Sequence, residues 1–314
     1  MIMLLSKQLS IVVHRDTIKA LKDNFNSPFW VEARRQANVK IDGATRADGT
    51  LDWSKLPSLL STNPKVEKGI DFDYLTNIFH GAPSFAAGTG LKGKLYNSCA
   101  SASLGCGLNC LNESGHGQKH MMHENVHSVH VARITRTMLW FRFRDQFKVK
   151  MQREIRALVR KAKRMNLVPV VRPNGTTDFN FESLWPELFT DNEDVTFYDY
   201  SKNANRNVSH IPNYSLSFSV SETNLDAAKS ELQRGLNVVM VLRLKRNQRK
   251  PDTVLGYPTI DGDIHDLRFL DDNTSPHVVC LFAKGHAYKD NTGFVYDLDT
   301  VNATYNNVKQ LESV

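Results

Sequence analysis

Downstream of residue 166 the chain breaks into short apolar runs, each ending in polar text that often contains glycine. LVPVV runs into RPNGTTD, VTFYDY into SKNANR, YSLSFSV into SETN, NVVMVLRL into KRNQRK and HVVCLFA into KGHAYKD. Apolar and β-branched runs without polar alternation predict strands buried on both faces, as in a parallel sheet. The stretch from Leu225 to Arg234 reads as a helix between two of them. From His120 to Asn166 the period is helical instead. Phe147, Met151, Ile155 and Leu158 form one apolar stripe, while Arg153, Arg156, Arg160 and Lys163 recur on another face. A break is expected between Trp140 and Asp145, because a single helix of more than about forty residues is unusual in a compact domain. The first 75 or so residues are poorly periodic and rich in turn text (NSPFW, DGATRADGT, STNPKVEKG). Helix-like pieces are expected there, from Asp16 to Lys22 and from Pro28 to Gln36.

Strands that each end in polar residues suit an α/β fold of the TIM-barrel type, complete or incomplete, whose site lies at the carboxyl ends of its strands. A doubly wound open sheet is the competing arrangement. The division expected is an N-terminal extension over residues 1–80 and a barrel-like catalytic domain over 81–314. No apolar run approaches the ~20 residues of a membrane helix. The opening MIMLLSKQLSIVV is too short, and lacks the basic flank, to read as a secretory signal. A cytosolic protein is expected, of a cell or of an infected cell.

Charge sharpens this picture. Between Arg133 and Arg164 twelve Lys and Arg face only Asp145 and Glu154, a surplus of ten. The whole chain carries +7, so the remainder is mildly acidic. A localised basic element of this kind fits a polyanionic partner, with Arg153, Arg156, Arg160 and Lys163 as candidate nucleic-acid contacts. A plainly solvated helix face is the alternative.

Three of the four cysteines are clustered: Cys99, Cys106 and Cys110 are spaced C-x6-C-x3-C, and His116 follows. In a reducing compartment such thiols suit metal ligation better than a disulfide framework. Three thiolates and an imidazole can close a tetrahedral zinc site; three thiolates alone can hold a [4Fe–4S] cluster with one open iron. His120, His123, His127 and His130 recur at helical spacing and are alternative fourth ligands. A structural turn with free thiols is the remaining possibility.

The polar strand ends supply the other candidates. RPNGTTD offers Arg172, Asn174 and Asp178, with Gly175 permitting a tight turn, and FYDYSKN offers Asp199 and Lys202. SFSVSETN offers Ser219 and Glu222, IDGDIHD a group that includes Asp266, and FAKGHAYKD Lys284. On a barrel these would converge on one mouth, where two carboxylates can divide labour as nucleophile and acid or base. Asp199 and Asp178 follow apolar strands most closely and are the leading catalytic candidates; Arg172, Asn174, Lys202, Ser219, Glu222 and Lys284 would bind substrate.

The combination of NSCASASLGCGLNC, HVARITRT, VRPNGTTD, FYDYSK, SFSVSE, IDGDIHDLRF and AKGHAYKD, between Ala82 and Phe294, resembles a family of bacteriophage proteins. That resemblance implies phage origin, the cytoplasm of an infected host cell, and a metal- or cluster-binding cysteine triad. More loosely, a basic, metal-bearing TIM-type protein is similar to the tRNA-guanine transglycosylase superfamily, whose phage relatives exchange guanine in DNA for a 7-deazaguanine. This second resemblance implies Asp199 as nucleophile on the sugar C1′, Asp178 as acid/base, and zinc held by Cys99, Cys106, Cys110 and His116. The superfamily's cysteines lie late in the chain and closer together, unlike these. Three expectations follow: a phage enzyme that modifies bases in nucleic acid, probed by salt-dependent DNA binding; an iron–sulfur enzyme using S-adenosylmethionine; and a non-enzymatic nucleic-acid-binding protein.

Overall fold

In a computed structural model that describes residues 15–90, 93–111, 126–204, 206–245 and 247–301, the apolar runs become strands of one nine-stranded sheet. They are β1 (Leu60–Ser61), β2 (Tyr74–Phe79), β3 (Val168–Arg172), β4 (Thr196–Ser201), β5 (Tyr214–Ser219), β6 (Val238–Leu242), β7 (Thr253–Val254), β8 (Tyr257–Asp261) and β9 (Val278–Phe282). Their spatial order is β1-β2-β3-β4-β5-β6-β9-β8-β7. The seven central strands are parallel, and β1 and β7 are antiparallel edges. The fold is mixed α/β with a mostly parallel sheet that is not closed: among the described residues no pairing joins β1 to β7.

Five of these strands stand where the apolar runs predict them. β1 and β2 do not. They lie before residue 80, in the stretch read as an extension, yet β2 pairs with β3 from Tyr74↔Val168 to Ile78↔Arg172. The sheet therefore starts inside the first 80 residues, and a boundary at 80 cuts it.

Five helices matter here: α1 (Pro28–Ala44), α2 (Leu104–Leu108), α3 (Ser128–Arg142), α4 (Arg144–Met165) and α5 (Leu225–Gln233). The expected break falls at Phe143, between α3 and α4. α4 buries Phe147, Met151, Ile155, Leu158 and Ala162, the predicted stripe extended by one turn. It ends where Asn166 turns left-handed (φ 54°) and returns its N–H to Ala162 and Lys163.

Side-chain alternation gives the sheet two unlike faces. On one, Leu75, Phe79, Val171 and Phe197 join the main core with α1, α3 and α4. The same face continues through Phe218, Val238, Met240 and Cys280, covered by α5. On the other, Val170 and Tyr198 pack only against Leu267 and a few aromatic rings. Beyond that small cluster the second face carries no helix of the main cores, and this is the face that matters for function.

Candidate functional site

Ile78 of β2, Arg172 of β3, Tyr200 of β4, Ser219 of β5, Val239 of β6 and Leu281 of β9 border a single cavity of about 1480 Å³. In the strand register they share the second face, at or near the carboxyl ends of their strands. The cysteine segment, part of α3 and the turn around Pro64 complete the wall.

Cys99, Cys106 and Cys110 all border this cavity, and none is in a disulfide. Local chemistry fixes α2, which carries Cys106 between the flanking Cys99 and Cys110. Ser103 caps this helix, its hydroxyl oxygen accepting from the Cys106 N–H at 3.2 Å. Glu222 grips the same turn from the end of β5: one carboxylate oxygen accepts from the Gly105 N–H at 2.6 Å and the other from the Ser103 hydroxyl at 2.7 Å. Asn109 donates to Asp290 at 2.7 Å. A side chain at Gly105 would run into Thr292 and Phe294, and one at Gly107 into Leu21. These glycines serve close packing. Glu222, expected to bind substrate, does not border the cavity; it positions the helix of Cys106.

Burial pushes the Cys99 thiol up to about 12 and raises that of Cys106. Among the described residues no three His, Cys, Asp or Glu stand close enough to hold an ion. His116, His120 and His123 lie outside the described residues. His127 caps α3, accepting from the Val129 N–H, and His130 is enclosed between the rings of Phe29 and Trp30.

The two aspartates part company. Asp178 borders the cavity, pairs with Arg206 at 2.8 Å, and accepts from the Ser201 hydroxyl and the Lys202 N–H. Asp199 points to the helix-covered face, is completely buried and does not border the cavity. Asn174 donates to it at 2.7 Å, and Arg172 Nε stands 3.7 Å away, too far for a hydrogen bond. Burial raises its carboxyl to about 7, against the pull of Arg172 and Arg206. Asp199 as an accessible nucleophile is thus corrected by its strand parity, odd where the cavity face is even. It positions Asn174 and Arg172.

Arg172, Asn174, Lys202, Ser219 and Lys284 do border the cavity, as expected. Lys202 donates to Ser219 at 2.8 Å and lies over the Phe294 ring. Lys284 pairs with Asp263 at 2.9 Å. Gly175 needs no special turn geometry; its role is space, since the His80 ring and Ile78 occupy the place of a side chain.

Lys65 and His80 escape sequence reasoning, whereas Asp266 is among the IDGDIHD candidates. Asp266, fully buried, accepts from Arg172 (3.0 Å), Tyr198 (2.9 Å) and Tyr200 (3.0 Å) and pairs with Lys65 (2.7 Å). Although burial opposes it, Lys65 and Arg172 hold its carboxyl well below the usual range. Lys65, His80, Arg133 and Arg136 also border the cavity. The only available signal for His80 was its place directly after β2, itself unrecognised. Arg153, Arg156, Arg160 and Lys163 are exposed on α4, away from the cavity wall.

No described helix is long and apolar enough to cross a membrane. No curated protein and no solved structure matches the chain. Residues 57–298 match the family described as Gene product 88, a span that begins just before β1 and includes every strand, the cysteine segment and most of the cavity wall. With more than half its length inside that match, the chain belongs to the gene product 88 family of bacteriophage proteins.

Proposed function

We propose that this protein is a phage enzyme that modifies a nucleobase-bearing substrate in the cavity, with Cys99, Cys106 and Cys110 holding a [4Fe–4S] cluster beside it. The observation that carries this reading is that all three cysteines border the same cavity as the strand ends. A structural zinc is closed by four protein ligands; three thiols on a cavity wall leave one metal position open to a small molecule. The donor set is soft and Glu222 and Asn109 fix the helix that carries Cys106, while among the described residues no three donors come together around one ion, so the reading rests on the chemistry of the thiols and their shared cavity. When bound, such a cluster supplies one-electron reduction of S-adenosylmethionine.

The chain's own residues do the rest. Lys202 and Ser219 offer polar contacts near Cys106. Of the carboxylates that border the cavity, Asp266 is tied to Lys65, Arg172 and two tyrosines, and Asp178 is the candidate for moving a proton. Asp199 and Asp266 hold Arg172 in place. At about 1480 Å³ the cavity exceeds the roughly 300–1,000 Å³ of a typical ligand pocket, which leaves room for substrate and cofactor together.

The same wall supports a curled sheet of TIM-barrel type. Six adjacent strands laid flat span about 24 Å, about twice the edge of a cube of the cavity's volume. The helices of the two main cores cover the opposite face, and strand order runs without reversal from β2 to β6.

The placement of Asp178 favours one second reading. A transglycosylase exchanging guanine in DNA would use Asp178, rather than the enclosed Asp199, on the sugar, with zinc at Cys99, Cys106, Cys110 and His116. Anaerobic purification with metal and sulfide analysis separates the two. A brown protein with iron and sulfide in equal amount is expected. A colourless protein with one zinc per chain overturns the cluster and leaves the exchange reaction, and a metal-free folded protein removes both.

A further inference from the structure

The wall opposite the sulfur chemistry has an electrostatic problem of its own. Arg136 of α3 donates from Nε to the Ser58 carbonyl at 2.6 Å and from Nη1 to the His80 carbonyl at 3.2 Å. Both acceptors are uncharged. Among the described residues no carboxylate lies within ion-pair distance of this guanidinium, and its Nη2 has no protein acceptor. Nearby, one carboxylate, Asp266, serves both Lys65 and Arg172. Arg172 also faces the enclosed Asp199 at 3.7 Å, and Arg136 has only carbonyl acceptors, which leaves this part of the wall with a positive excess. Arg133, one helical turn before Arg136, borders the cavity beside them.

His80 reads the resulting potential. Burial, then Arg133, Arg172 and Arg136, push its pKa well below the ordinary value, so the imidazole is neutral and able to donate or accept one hydrogen bond. Burial and the neighbouring Arg133 likewise lower Arg136 to about 10. A half-buried arginine whose protein acceptors are uncharged is relieved by an anion, and the several N–H donors of this wall suit the multiple oxygens of a phosphate.

We propose that Lys65, His80 and Arg136, with Arg133 alongside, form a subsite for a phosphate monoester dianion. This deepens the reading above, on which it rests for the site, by naming the group through which the substrate is held: the phosphate of a nucleotide or a terminal phosphate of nucleic acid. The guanidinium of Arg136 offers the N–H groups of Nη2 and Lys65 a point charge, while His80, whose Nε2 lies 3.5 Å from Asn63 Nδ2 and whose Nδ1 is enclosed against Gly175, backs the wall as a neutral ring.

The test is calorimetric binding to the purified full chain, at fixed ionic strength, of a nucleoside 5′-monophosphate, the corresponding nucleoside, inorganic phosphate and a 5′-phosphorylated oligonucleotide. The monophosphate is expected to bind at least about tenfold tighter than the nucleoside, and inorganic phosphate to compete with it, as for a charge-assisted contact in a cavity. Arg136→Gln and Lys65→Met should each lose about tenfold for the monophosphate, while Arg249→Gln, exposed and away from the cavity wall, changes nothing. Tighter binding of the oligonucleotide than of the mononucleotide assigns the phosphate to nucleic acid; the reverse assigns it to a free nucleotide. Equal affinity for nucleoside and monophosphate, no competition by millimolar phosphate, or unchanged binding in a folded Arg136→Gln protein overturns the subsite. If Arg136→Gln does not fold, Lys65→Met and the competition on the unaltered chain decide. Binding is read whatever metal the protein carries, so a failed iron assay and a failed phosphate assay remain separate results.

Discussion

α3 and α4 adjoin across Phe143 and share one run of basic residues, yet they use it in opposite ways. α3 carries Arg133 and Arg136 on the cavity wall. α4 buries an apolar stripe on β2 and β3 and leaves Arg153, Arg156, Arg160 and Lys163 exposed. A surplus of ten charges is therefore two features: a buried potential that selects a ligand, and a solvated surface that can attract a polyanion at long range. Net charge along a segment says that an anion is favoured. Only the face on which each side chain lies says where.

The sharpest way to break this contrast is on α4 itself. Phe147→Ala should cost about 3–5 kcal/mol of stability, as for a fully buried aromatic, while Arg156→Ala stays within about 0.5 kcal/mol; denaturant unfolding of both proteins checks it. Comparable losses would mean that the outer face is packed after all. Next comes the helix that carries Cys106. Gly105→Ala places a methyl against Thr292 and Phe294 and should cost about 1–3 kcal/mol, as overpacking does, with loss of bound metal at temperatures where the sheet persists. Retained metal and unaltered stability would separate α2 from its supposed clamp.

A third test uses Asp199. Its carboxyl titrates at about 7 when folded, above its unfolded value, so its favourable contribution is complete below about pH 4 and is lost as pH rises toward 7. Asp199→Asn should flatten the fall in stability over that window by up to about 1.4 kcal/mol per pH unit. An unchanged slope would deny the enclosed placement. The smallest effect concerns the outer arginines. Replacing Arg153, Arg156, Arg160 and Lys163 by Gln together should leave nucleotide binding in the cavity within about twofold. It should reduce the salt slope of duplex DNA binding by about one for each phosphate that the variant no longer neutralises. No change in slope returns this face to plain solvation.

Much of the sheet was readable because buried parallel strands leave continuous apolar text; β3, β4, β5, β6 and β9 are such runs. β2 is not. YLTNIF carries Thr76 and Asn77, whose neighbours in β3 supply the burial that the segment's own composition does not advertise. Half the wall was readable for a related reason. Arg172, Lys202, Ser219 and Lys284 end or follow recognised strands, whereas His80 follows the unrecognised one and Lys65 sits in a one-turn helix, Pro64–Glu67. Asp199 and Asp178 looked equivalent in one dimension. Asp199 lies within β4 on its core-facing parity, whereas Asp178 lies in the loop after β3, where the chain runs along the cavity.

The grip of Glu222 on α2 has a temporal side. The carboxylate that fixes Ser103 and Gly105 is 119 and 117 residues further along the chain. During synthesis the thiols leave the ribosome long before the strand that immobilises α2 exists. On the proposed reading the metal is thus admitted only after the chain has passed Glu222.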